Sequence, residues 1–240
     1  MLINLDSGGD AKPAAAATPQ GDGKTNDAKD KDQGKGKGWW PTDDEGGKTA
    51  EDRAGSHPAQ FQGGVSWITA PDGRALLFDG RTGFLDAGAP ILDTATKDYS
   101  VAARVRLDDK GFRTAVSQDS AEASTFYLQY SGEDDRFAFS FFNARAVAAD
   151  AGPAELGRWY HLAGTYSQAD RTLRIYVDGK PAGSAVALNE QRTDGNLIIG
   201  RGKSFGKEAD FWAGAIADVH VFQRALAPAE VASLAAEEPQ

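Results

Sequence analysis

The chain has 240 residues, a formal net charge of −9 and 40% hydrophobic residues, enough apolar side chain for a sizeable core. The negative balance argues against nucleic acid or an anionic membrane as principal partner. There is no cysteine, which excludes a disulfide framework, a thiolate zinc site and a cysteine nucleophile.

Residues 1–38 differ from the rest. They hold six lysines, six aspartates, seven glycines and no aromatic residue. So little apolar surface cannot offset the entropy of ordering the backbone, so the stretch reads as a disordered linker. Its charges cancel, and the −9 belongs to residues 39–240. The opening MLINLDSGGDAK lacks a basic segment and a long apolar run, so it does not read as an export signal. No apolar run approaches the roughly 20 residues of a membrane-spanning helix, and membrane insertion is not expected.

From Trp39 onward the texture is strand and turn. Tyr99, Val101, Ala103, Val105 and Leu107 alternate with Ser100, Ala102, Arg104 and Arg106, the period of two of a half-buried strand. In TFYLQYSGEDDRFAFSFF, Phe126, Leu128 and Tyr130 form the inward parity, and Tyr127 and Gln129 the outward one. Phe137, Phe139 and Phe141 continue the pattern beyond a Gly132–Asp135 turn. Trp159, His161, Ala163 and Thr165 alternate next, then Leu173, Ile175 and Val177. Asp178-Gly179 accepts the positive φ of a tight hairpin and should turn Tyr176 and Val177 back toward Ala182 and Gly183. NLIIG at 196–200 and IADVHVF at 216–222 add two strands. Pro228 suits a first helical position, and Val231, Ala232, Leu234 and Ala235 give a short apolar stripe. Ala227 is a poor N-cap, so this helix should be short and held by packing.

About a dozen short strands and one terminal helix, with no linker near the middle and no internal repeat, predict an all-β, two-sheet antiparallel jelly-roll β-sandwich over residues 39–240. Two immunoglobulin-like domains are the competing arrangement.

Four stretches in order resemble one family. GRWYHLAGTYSQADRTLRIYVDGK is similar to the central strand pair of the LamG-like jelly-roll domain, within the concanavalin A-like lectin/glucanase superfamily. LIIGRGKSFGKEADFWAGAIADVHVFQRALAPAEVASL is similar to that family's ending. WWPTDDEGGKTAEDRAGSHPAQFQGGVSW resembles its opening, and RALLFDGRTGFLDAG and DYSVAARVRL follow in the expected order. The resemblance spans about 39–236. FYLQYSGEDDRFAFSFF looks most like versions in secreted or surface proteins of high-GC bacteria, which implies an extracellular or cell-surface location.

The resemblance implies three functional classes. Glucanases of this fold carry a Glu-x-Asp-x-x-Glu type strand, which places two carboxylates on one face for acid and nucleophile roles. No such spacing occurs here, and the acidic clusters fall in turns and tails, so catalysis is not expected. His57, His161 and His220 make no triad, and His161 reads as a packed strand residue. The family often holds a structural Ca²⁺ where the N-terminal loop meets the last strand. Asp52 and Asp218 carry that role over, with Gly80 of the Asp79-Gly80 turn offering a carbonyl. One departure weakens it: Ala217 precedes Asp218 where the family often has a second acid. The third class is ligand binding on the concave sheet, where Tyr127, Gln129 and Arg145 offer an aromatic face, an amide and a guanidinium to an oligosaccharide. The expected protein is a non-catalytic binding module for a glycan, a monomer within a larger chain; the alternative is a spacer or adhesion domain that meets a surface protein and no small ligand.

Overall fold

A computed structural model describes residues 36–44, 46–71, 73–188 and 194–237. The leader up to residue 35 lies outside the described residues. Strand pairing begins at Gly38, the last residue of the stretch read as linker, and the Lys37 amide already donates to the Val221 carbonyl at 2.7 Å.

The chain runs through β1 (Gly38–Trp40), β2 (Thr49–Ala50), β3 (Ala59–Gln62), β4 (Val65–Ala70), β5 (Gly73–Asp79) and β6 (Phe84–Asp86). It continues through β7 (Tyr99–Leu107), β8 (Arg113–Asp119), β9 (Ser124–Ser131), β10 (Arg136–Phe141), β11 (Ala144–Val147) and β12 (Trp159–Ser167). Then come β13 (Thr172–Val177), β14 (Lys180–Val186), β15 (Leu197–Ile199), β16 (Gly202–Ser204), β17 (Lys207–Ala209), β18 (Ala213–Phe222) and the helix α1 (Pro228–Ala236).

Two eight-stranded sheets result. The first runs β14-β13-β12-β7-β18-β5-β4, with β1 added alongside β18; the second runs β11-β10-β9-β8-β15-β6-β3-β2. Every pairing is antiparallel. Neighbouring strands are thus often far apart in sequence, as in a jelly roll, and the two inner faces share one core.

That core follows from the alternation. Tyr99 of β7, Phe126 of β9, Phe139 and Phe141 of β10 and Tyr166 of β12 pack ring against ring between the sheets, with centroids 4.9–6.4 Å apart. Gly164 of β12 faces the same cluster. A Cβ there would lie 2.3 Å from the Phe139 ring, so this strand glycine is a space requirement. At the β13–β14 hairpin Asp178 and Gly179 both have positive φ, 50° and 74°, as a primed two-residue turn demands. Val177 pairs with Lys180 and Tyr176 with Pro181, a tighter register than the expected return onto Ala182 and Gly183.

The outer face of the first sheet is partly covered. Helix α1 buries Val231 against Ala102, Ala163, Tyr176, Phe222 and Leu226. Its N-terminus lacks a side-chain cap; instead Glu230 Oε2 accepts the Ala227 amide at 2.7 Å. In β18 the register slips between Ala217 and His220, and Asp218 sits at φ 49°. This bulge turns Ile216, Val219 and Val221 inward and leaves Asp218 and His220 outside the core.

Candidate ligand-binding face

The outer face of the second sheet carries Thr114 and Ser117 from β8, Tyr127 and Gln129 from β9, Ser140 from β10 and Arg145 from β11. Register places Ser117, Tyr127, Ser140 and Arg145 in one cross-strand row, and Thr114 and Gln129 in the next. Tyr127 and Gln129 do point away from the core, as alternation requires. They are nevertheless only 8% and 4% exposed.

For Tyr127 the reason is an arm, residues 201–211, containing the β16–β17 hairpin. Ser117 Oγ donates to the Arg201 carbonyl at 2.8 Å, and Tyr127 Oη to the Lys203 carbonyl at 2.6 Å. The Thr114 amide donates to the Asp210 carbonyl at 2.8 Å, and the Gly206 amide to that of Glu122 at 2.7 Å. Gly202 passes so close to Tyr127 that a Cβ there would lie 2.9 Å from its ring. Beneath the arm the buried Arg201 sets Nη1 2.9 and 3.0 Å from the two Asp119 oxygens and lays its guanidinium over Phe84, 4.6 Å from the ring centre. Lys203 Nζ adds a 3.5 Å contact to Asp119. Gln129 Nε2 is spent on Ser140 Oγ at 2.8 Å. The open surface expected of Tyr127 and Gln129 is therefore corrected: the chain's own arm covers Tyr127, and Gln129 is buried with its amide bonded within the sheet.

Arg145 lies beyond the roof. Its Nη1 reaches Asp134 at 2.9 Å, Ser131 Oγ at 3.3 Å and Glu133 at 3.4 Å, and its guanidinium lies 5.6 Å from the centre of the exposed Phe112 ring. Arg113 makes a double ion pair to Asp109, 2.6 Å on each oxygen. Lys110 pairs with Asp135 at 2.7 Å. Ser131 and then Arg145 hold the Asp134 carboxyl below its ordinary range.

Where the arm returns to the sheet stands Asp210, which the sequence reading passed over. It is half-buried, its φ is 54°, and among the described residues its carboxylate makes no hydrogen bond or ion pair. Burial pushes its pKa up, against the pull of Arg113 and Arg145. The Asp210 charge also acts on Tyr127. On the same sheet face two buried polar atoms lack a partner: Thr114 Oγ1 and Arg145 Nε. A buried group left so costs about 1–3 kcal/mol. Arg145 and the exposed Phe112 thus stand at the open end of the face, where the Thr114 amide ties the Asp210 backbone to β8. The one sequence signal for Asp210 is a charged residue directly before the aromatic pair Phe211-Trp212.

The three residues expected to hold calcium do not converge. Asp52 Oδ1 accepts the amides of Trp39, Ala54 and Gly55 at 2.9–3.1 Å, and Oδ2 accepts that of His57 at 3.2 Å. Asp218 Oδ1 accepts Trp39 Nε1–H at 2.8 Å and contacts His220 Nε2 at 3.0 Å. N–H donors thus occupy the directions a cation would need. Gly80 follows Asp79, which pairs with Ala213 at the start of β18, so it lies about 16 Å along that strand from Asp218. Among the described residues no group of three or more His, Asp or Glu side chains is placed to hold a metal ion. The residues present do not fit the ion.

A cleft of about 560 Å³ opens at this Gly80 end, lined by Gly64, Val65, Asp79, Asp108, Ala213 and neighbours. Its carboxylates are engaged: Asp79 by the Arg81, Thr82 and Gly83 amides, Asp108 by Arg106 and Asp109 by Arg113. It offers a ligand shape whose carboxylates are already used.

Comparison with known proteins places these observations. The family model described as the concanavalin A-like lectin/glucanases superfamily matches residues 79–232. Domain 4 of AbnA, a GH43 extracellular arabinanase from Geobacillus stearothermophilus, in complex with arabinotriose, aligns with a TM-score of 0.63 and 14% identity, covering 83% of this chain and 97% of that one. Trypanosoma rangeli sialidase in complex with the inhibitor DANA aligns with a TM-score of 0.60 and 19% identity, covering 82% of this chain and 32% of the sialidase. This chain thus spans about a third of the sialidase's length. At these identities the likeness is one of fold.

Proposed function

Because the chain belongs to the concanavalin A-like lectin/glucanases superfamily, we propose that it is a non-catalytic carbohydrate-binding module acting outside the cell. One observation carries the reading: the Arg145 guanidinium lies 5.6 Å from the centre of the exposed Phe112 ring, at the end of the face where the half-buried Asp210 leaves the arm. Sugars are held by such sets, in which hydroxyls meet charged hydrogen-bonding groups and the C–H face of the ring lies on an aromatic side chain. The arabinotriose complex of the AbnA domain, a protein of the same fold, supports a glycan as the class of ligand, and its extracellular parent supports the location.

Binding without turnover belongs to the same proposal: glycoside hydrolysis uses two carboxyl groups facing each other across the scissile bond, and the sequence carries no Glu-x-Asp-x-x-Glu spacing to supply them.

The test is a glycan array probed with the purified protein and with Phe112→Ala and Arg145→Ala. Saturable binding that both substitutions weaken at least tenfold supports the module. Silence across the array, or binding that neither substitution moves, overturns it in favour of the spacer domain, a reading the buried Tyr127–Gln129 face also suits.

A further inference from the structure

A second cleft, of about 500 Å³, opens where the Gly36–Lys37 segment, the loop after Asp52 and the end of β18 come together. Lys37, Ser56, His57, Phe222 and Arg224 are among its lining residues. We infer that it binds a small hydroxylated acid, whose carboxylate meets Lys37 and Arg224 and whose hydroxyls meet Ser56 and His57. The cleft is built from other residues than the Phe112–Arg145 end, and the inference does not rest on the reading proposed there.

Two glycines let the three segments meet. A Cβ on Gly36 would lie 2.6 Å from the Val221 carbonyl oxygen, and one on Gly55 would lie 2.8 Å from that of Lys37. Between these contacts the Lys37 backbone is fixed, its amide donating to the Val221 carbonyl at 2.7 Å. Asp52 fixes the loop by accepting the Gly55 and His57 amides, at 2.9 and 3.2 Å. The backbone is thus held on both sides, while the side chains that reach the cleft are unspent. Among the described residues the Lys37 ammonium, the Ser56 hydroxyl and the His57 imidazole make no hydrogen bond or ion pair. They are also within a ligand's reach: Lys37 and Ser56 are exposed, His57 and Arg224 half-buried. Arg224 is set in place, with Nη1 2.7 Å from Glu230 and the guanidinium 5.7 Å from the centre of the Phe222 ring.

The charge of the lining selects the ligand. The chain carries −9 overall, yet the cleft's lining holds two permanent cations and no carboxylate. A cationic ligand would face Lys37 and Arg224 unopposed. A neutral one would forgo the charge-assisted bonds that an ammonium and a guanidinium give to a carboxylate. Beside those cations, the Ser56 hydroxyl both donates and accepts, and a neutral imidazole offers one donor and one acceptor, which suits hydroxyls on the same ligand. The volume lies within the range of small-molecule sites.

The experiment titrates the full chain by calorimetry with glucuronate, and with trigalacturonate, acetate and glucose as comparisons. Glucuronate is expected to bind saturably, at least about tenfold more tightly than glucose or acetate, and to weaken as salt rises. Lys37→Gln should weaken it about tenfold at an unchanged melting temperature, since this side chain is exposed. Ser56→Ala should weaken it by a smaller factor. Lys207→Gln, the same loss of charge on the arm, should leave it unmoved. Trigalacturonate binding at least as tightly as glucuronate would assign the acid to a glycan, and glucuronate binding alone to a free acid. Phe112→Ala and Arg145→Ala should leave this affinity as it is, so the two sites stand or fall separately. The inference is overturned if no acid binds, if glucose or acetate binds as tightly as glucuronate, or if Lys207→Gln costs as much as Lys37→Gln.

Discussion

Trp39 Nε1–H donates to Asp218 Oδ1 at 2.8 Å, joining the first strand to the last across 179 positions of sequence. The same residue's backbone amide donates to Asp52 at 2.9 Å, so Trp39 ties the Asp52 loop to β18. Its indole stacks on His220 with ring centres 5.5 Å apart, and His220 in turn contacts Asp218. Burial pushes the Asp218 carboxyl up, but the bonds from His220 and Trp39 outweigh it and hold the pKa below the ordinary range. Asp218→Asn, which keeps the left-handed backbone at this bulge, is expected to cost about 1–3 kcal/mol in chemical denaturation. Asp218→Ala is expected to cost more, because alanine also strains at φ 49°. Equal stability of Asp218→Ala and the parent would show that the seam holds nothing.

The same outer face sets a dependence on pH. His161 is 7% exposed, and its Nδ1 has no partner. Burial, then repulsion from His220, lowers its pKa from 6.5 to about 4, while Asp218 and Asp178 oppose the shift and Arg104 adds to it. The folded pKa lies below the unfolded one, so between pH 6.5 and 4 the unfolded chain binds the extra proton. The neutral imidazole's contribution is thus complete above pH 6.5 and is lost as pH falls toward 4, by up to about 3 kcal/mol. Urea melts at pH 7.5, 5.5 and 4.5 should show that loss in the parent and a flatter profile in His161→Gln. Identical slopes would remove His161 as the cause.

Much of the sandwich is legible along the chain, because alternation reports which parity faces the core. Phe126, Leu128 and Tyr130, and Phe137, Phe139 and Phe141, all take the expected side. Asp178-Gly179 announces its turn because few other residue pairs accept positive φ twice. Alternation does not report what lies on the other side. Tyr127 is outward yet buried, because the arm at 201–211 crosses it, with Lys203 76 positions away. GKSFGKEAD has no apolar period that would announce such a cover. The β18 bulge did leave a trace: Ile216, Val219 and Val221 step by three and then two, one residue more than a regular strand allows. Whether an aspartate waits for a cation or caps its own loop is invisible at this level, since both uses favour Asp near Gly.

Asp52 and Asp218 therefore yield a prediction of their own. Their oxygens already accept amide, indole and imidazole N–H groups, and a ligand stabilises a fold only by binding it better than the unfolded chain. Thermal melts in about 1 mM calcium and in excess chelator are expected to coincide, since calcium well above its Kd would add a few kcal/mol. A melting temperature that falls on chelation would mean that the Trp39 donors give way to a metal ion.

The arm is held by a buried charge pair, and such pairs are costly to break from one side. Asp119→Ala leaves the Arg201 guanidinium, in a residue 5% exposed, with Glu208 at 3.6 Å as its remaining carboxylate and the Gly202 carbonyl at 3.4 Å. The expected loss is about 3–5 kcal/mol, because the stranded charge cannot reach water without lifting the arm. Lifting is the measurable consequence. Hydrogen exchange at the Thr114 and Lys203 amides, which bond to Asp210 and Ser124, should quicken far more in Asp119→Ala than exchange at Leu162 or Val105 in the opposite sheet. Tyr127→Phe removes the bond to the Lys203 carbonyl and the one accepted from the Ser124 amide, and should loosen the same amides by a smaller step, about 1–2 kcal/mol. If exchange rises evenly over both sheets, the pair stabilises the whole sandwich and the arm has no separate hold on the face it covers.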